Sequence, residues 1–135
     1  MKITLNKEEL LLIDSLLGRI VQAGASKDIK PNSTDAAVLL INKEILEKCD
    51  YIYYCDKSQG TYELELNRRQ TKVLIASLLF SSNACAKIMC AYEQRPETHE
   101  AFSQEAGRRK EDYIKKLNSK TNTLNSILDK TRRAL

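Results

Sequence analysis

Polar and apolar positions alternate over residues 2–5, placing Ile3 and Leu5 on one side, and a helical period takes over after Asn6. This predicts a short strand running directly into a helix. Asn6 suits the N-cap because its side-chain oxygen can accept from free amides of the first turn, and Glu9 three residues on completes an Asn form of the capping box. Leu10, Ile13, Leu17 and Ile20 then recur at helical spacing, widened by Leu12, Leu16 and Val21 into one broad core face.

Residues 24–34 collect Gly, Ser, Lys, Asp, Pro and Asn and read as a loop after the weakening glycines Gly18 and Gly24. A second helix begins near residues 32–35. Val38, Leu39, Leu40, Ile41, Ile45 and Leu46 make it apolar around most of its circumference, which predicts a central position. Aromatic residues 51–55, a five-residue turn ending in Gly60, and the alternating residues 61–66 predict a β-hairpin, with Leu64 and Leu66 inward and Glu63 and Glu65 toward water. A third helix follows to about Tyr92, with Leu74, Leu78, Cys85 and Ile88 on one stripe and Ile75, Leu79 and Met89 beside it. Pro96 interrupts the pattern. A fourth helix is predicted from Glu97 to Arg133, with a thinner stripe of Phe102, Ala106, Tyr113, Leu117, Leu124, Leu128 and Leu135.

The string around Ile3, Asn6, Glu9 and Ile13 is echoed around Leu64, Asn67, Gln70 and Ile75, provided the second copy carries one extra residue. Read as a repeat, this gives two strand-helix-helix units. Read as coincidence, common capping rules have generated similar strings. The expected fold is α+β and mostly helical, about four helices with a small two- to three-stranded antiparallel sheet. All 135 residues are expected in one domain: residues 1–50 as a strand-helix-helix unit, 51–95 as hairpin and third helix, and 96–135 as a long basic helix.

Composition adds the compartment. At 42% apolar and 30% charged the chain has a core to build. No uninterrupted apolar run approaches the roughly 20 residues of a membrane-spanning helix, and the N-terminus reaches acidic residues without a secretory pattern, so no membrane association and a cytoplasmic location are expected. A chain of this size needs no disulfides, so Cys49, Cys55, Cys85 and Cys90 are expected as reduced thiols.

The net charge of +4 is unevenly spread: residues 107–135 hold nine Lys or Arg against three Asp or Glu. Arg108, Arg109, Lys115, Lys116, Lys120, Arg132 and Arg133 are the first candidates for contact with an acidic partner or phosphates. A solvated helix face with basic residues favouring the C-terminal dipole is the competing reading. Tyr53 and Tyr54 near Arg68 and Arg69 form a second candidate set, because Tyr and Arg are enriched at binding hot spots.

Catalytic constellations are missing. The single histidine, His99, has no matching nucleophile signature, the cysteine spacings do not resemble a zinc site, and the scattered glycines form no phosphate loop. No enzyme activity, cofactor or metal is expected. The leading expectation is a protein-binding module, a small inhibitor or adaptor of a larger nucleic-acid-processing machine, of the kind mobile-element or regulatory genes encode, and a candidate homo-oligomer. The alternatives are direct nucleic-acid binding through the basic helix and a small-ligand sensor or sponge.

Overall fold

The computed structural model describes the backbone of residues 1–93 and 100–135, and the side chains of residues 1–91 and 109–135. These residues form four helices and two strands in the order β1 (Lys2–Asn6), α1 (Lys7–Ala25), α2 (Thr34–Cys55), β2 (Thr61–Glu65), α3 (Arg68–Glu93) and α4 (Glu100–Ala134). The architecture is mostly helical, with a two-stranded antiparallel sheet.

The predicted hairpin does not form. Residues 51–55 are the last turns of α2, and β2 pairs instead with β1, brought from the N-terminus, in the register Lys2 to Glu65, Ile3 to Leu64 and Leu5 to Tyr62. The aromatic and β-branched character of the Tyr51–Cys55 stretch is overridden by packing. Continued as helix, it carries Ile52 and Tyr53 onto the core already lined by Ile45 and Cys49. The turn is then tied down locally: Asp56 accepts from the Ser58 amide and hydroxyl, and the Tyr62 hydroxyl donates to the Asp56 carbonyl at 2.8 Å.

Both predicted caps are present and reciprocal. Glu9 N–H donates to the Asn6 side chain at 2.8 Å while Asn6 N–H donates back to Glu9 at 3.0 Å. In the second copy Gln70 N–H donates to the Asn67 side chain at 2.8 Å and Asn67 N–H donates to Gln70 at 3.1 Å. The copies need no inserted residue. Burial equates Ile13 and Leu17 with the fully buried Leu74 and Leu78, whereas Ile75 lies one step round the helix and is only half-buried.

The β1-α1-α2 and β2-α3-α4 units interlock. Each second helix packs against the strand of the other unit, α2 on β2 and α4 on β1. Ile45 and Cys49 of α2 match Ile127 and Thr131 of α4, and all four are fully buried. The same helices close the opposite caps. Glu44 and Lys48 bond to Gln70, while Ser126 and Lys130 bond to Glu9. The thin stripe of α4 is therefore core over its second half, where Leu117, Leu124, Ile127 and Leu128 are buried. Phe102 and Ala106 lie outside the described side chains, as do Pro96 and His99.

Gly24 has a packing role. A Cβ there would stand 2.5 Å from Leu39 Cδ1, so its bare backbone lets α1 and α2 approach at the start of the connecting loop. Asn32 carries the loop's positive φ of 64°, a conformation Asn tolerates better than most residues.

Candidate functional site

The first candidate set disperses around α4. Arg109, Lys115 and Lys116 are exposed, Lys120 is half-buried, and the Arg108 side chain lies outside the described residues. Helical spacing places Arg109, Lys116 and Lys120 along one stripe and turns Lys115 away from it. Arg132 and Arg133 are exposed in the last turn, roughly 24 Å along the axis from Lys116 at 1.5 Å per residue. Lys130 is taken by Glu9 at 2.6 Å.

The second set separates as well. Tyr53 is half-buried at the end of α2, its ring 5.2 Å edge-on from Tyr54 and 6.2 Å from Tyr62. Lys57 lies 4.8 Å from the Tyr54 ring centre, and Lys7 lies 6.0 Å from that of Tyr53, within cation–π range. These cations come from neighbouring elements. Arg68 and Arg69 open α3 past the far end of β2, so the strand separates them from the Tyr53–Tyr62 contact.

Apolar residues missing from both sets stand uncovered. α2 is apolar nearly all round, but it does not lie centrally: Leu40 is 59% exposed and Val38 is 39% exposed. Phe80 of α3 is 73% exposed. It rims a groove of about 360 Å³ walled by Ile20 and Ala23 of α1, Ile29 of the loop, and Val38 and Leu39 of α2, with Lys27, Asp35 and Asn42 as its polar members. The apolar run of residues 73–80 carried a signal for this. Leu78 and Phe80 are two residues apart, so if one faces the helical core the other cannot.

Further exposed apolar surface lies along α3. The helix touches α2 where the Gln70 amide donates to Glu44 and where the Ser77 hydroxyl donates to Asn42 at 3.3 Å. Ile88, further along α3, is 41% exposed. Polar residues interrupt the apolar sequence of α3, so no unbroken run marks it. Residues Arg68–Ala91 are long and apolar enough to cross a membrane by length and composition, and only 22% of their most apolar window is buried. One face of the helix nevertheless supplies Leu74, Leu78 and Cys85 to the core, and Lys72 and Lys87 are exposed.

Two polar features lie between α1 and α2. Burial, and the Asp50 carboxyl of α2 beside it, together raise Asp14 of α1 to about 7. The neighbouring Cys49 thiol is pushed up to about 12 by burial and by the two aspartates, which leaves it protonated and unreactive at neutral pH. All four cysteines are free thiols. Among the described residues no three His, Cys, Asp or Glu side chains converge to hold a metal ion.

No known protein family, curated protein or solved structure matches this chain.

Proposed function

We propose that this chain is a non-enzymatic protein-binding module, an inhibitor or adaptor that docks on a larger protein through the apolar surface around Phe80. The observation that supports this reading is the exposure of Phe80, at 73%, on the rim of a groove lined mainly by apolar residues of α1, α2 and the loop between them. An aromatic ring held at a groove by rigid helices has the composition and placement of an interface anchor. Direct nucleic-acid binding has weaker support, because the basic residues of α4 spread around the helix and one of them, Lys130, is engaged by Glu9.

The test compares wild-type protein with Phe80→Asp in affinity capture from the lysate of its own host, with and without nuclease, alongside the solution mass of the purified chain. The exposed ring predicts an unchanged melting temperature for the variant. A stoichiometric protein that survives nuclease and is lost with Phe80→Asp supports the reading, whereas a mass above the monomer that falls to the monomer with the variant, with no other protein captured, assigns the surface to self-association and overturns docking on a larger protein. Capture of nucleic acid alone, sensitive to nuclease and salt, overturns it, as does binding to lipid vesicles with no protein partner.

A further inference from the structure

The edge of β2 that faces away from β1 borders a groove of about 690 Å³ between the strand and α2. The ladder decides which backbone groups are free there. Met1 and Leu66 exchange both backbone hydrogen bonds, at 3.0 and 2.9 Å, so the antiparallel alternation turns the N–H and C=O of Leu64 and Tyr62 toward β1. The same alternation turns those of Glu63 and Glu65 outward. Lys48 Nζ donates to the Glu65 carbonyl at 2.9 Å, and among the described residues it is the one side chain hydrogen-bonded to this edge. The amides of Glu63 and Glu65 and the carbonyl of Glu63 thus form an open template for a further strand.

The walls select what could be added. Glu44 and Glu47 line the groove from α2, and Glu63 and Glu65 line it from β2. The one cation, Lys48, is occupied by the Glu65 carbonyl and by Gln70 at 3.0 Å. Tyr51, 73% exposed, adds an aromatic surface.

We propose that this groove takes a basic, extended segment of the protein partner, which adds to the sheet as a third strand beside β2. Its backbone bonds to Glu63 and Glu65, and its Lys or Arg side chains meet the four carboxylates. The inference rests on the reading of the chain as a protein-binding module and names a second contact with its chemistry.

The probe is a twelve-residue synthetic peptide alternating Lys with Thr and Val, titrated into the full chain while backbone amide NMR shifts are followed. The control peptides are a version with Glu for Lys and a version N-methylated at alternate residues, which keeps the charge but cannot pair as a strand. The expected result is saturable shifts centred on residues 61–66 and Tyr51, at least tenfold weaker binding of both controls, and about fivefold weaker binding to Glu63→Pro. Proline at that position removes the outward amide together with the Glu63 carboxylate and leaves the hydrogen bonds of the β1 ladder intact. The inference is overturned if millimolar Lys peptide produces no shifts at this edge, if the Glu peptide binds equally, or if the N-methylated peptide binds as well as its parent. That last comparison leaves the protein unaltered, so it decides even if Glu63→Pro fails to fold. Phe80→Asp should bind the peptide like wild type. Loss of peptide binding with Phe80-dependent capture intact removes only this groove, whereas the converse removes only the Phe80 surface.

Discussion

Ile3 and Leu64 face each other at the centre of the two-stranded sheet, and they are also the equivalent residues of the two strand-helix-helix units. An antiparallel register in which a position pairs with its own counterpart places a pseudo-two-fold axis between them. The remaining contacts obey that axis: Thr4 pairs with Glu63 as Lys2 pairs with Glu65, and α2 meets β2 as α4 meets β1. Both side chains are almost fully buried, so truncating either removes a contact shared by both halves. Ile3→Ala and Leu64→Ala should each cost about 2–4 kcal/mol in urea unfolding, and the double variant should fall short of the sum because the residues share one cavity.

The Glu9–Lys130 pair joins the first helix cap to the end of the chain. Burial alone would raise the Glu9 carboxyl, but its bonds to Lys130, the Asn6 amide and Ser126, with the Lys130 charge, outweigh this and hold it below its ordinary 4.5. Gln70 occupies the matching position in the second unit and makes the matching cap as an amide. Glu9→Gln should therefore fold and lose only about 1 kcal/mol, while Lys130→Ala should lose about 2–3 kcal/mol by leaving a buried carboxylate without its cation. A depressed folded pKa contributes stability above the unfolded value that is lost as pH falls through the folded one. The wild-type advantage over Glu9→Gln should accordingly shrink below about pH 4.5 in thermal melts at a series of pH values.

Asp14 has the opposite sign. Its folded pKa of about 7 lies above its ordinary 3.8, so the folded state binds the extra proton between those values and stability falls as pH rises from about 4 to 7. Asp14→Asn keeps a hydrogen-bonding side chain beside Asp50 without the second charge. It should raise the melting temperature by a few degrees at pH 8 and by much less at pH 4.5. A pH-independent effect would show that the Asp14–Asp50 repulsion is not what the substitution relieves.

Thiol accessibility reports on the packing of α2 and α3. Cys55 and Cys90 are exposed, whereas Cys49 and Cys85 are buried. Alkylation of native protein followed by mass spectrometry should label Cys55 and Cys90 within minutes and reach Cys49 and Cys85 only on unfolding. The elevated Cys49 pKa reinforces the difference by denying the reagent a thiolate.

Thr121 carries a buried hydroxyl with no hydrogen-bond partner among the described residues. Replacing it with Val keeps the shape and removes the desolvated polar atom. Thr121→Val should leave stability unchanged or raise it by up to about 1 kcal/mol in urea unfolding, and a loss above that would point to a partner at this position.

What could be read from the chain alone was what depends on neighbours in sequence. Asn6 with Glu9 and Asn67 with Gln70 announce their caps because each bond spans three residues, and the stripe of Leu10, Ile13 and Leu17 marks a core face because helical periodicity is local. The strand at Thr61–Glu65 was equally visible, but its partner was not. Tyr51–Cys55 lay closer and carried stronger β character than Lys2–Asn6, and only the packed helices show that those residues serve better as the end of α2. The same holds for the candidate sites. Clustering in sequence gathered the basic residues of α4 and the Tyr and Arg set, yet a helix turns its neighbours apart and a strand separates its two ends. The Phe80 groove and the acidic edge of β2 are each assembled from residues distant in sequence. Local hydrogen bonding and periodicity are written in the chain, whereas which face is left uncovered is decided only when every element has taken its partners.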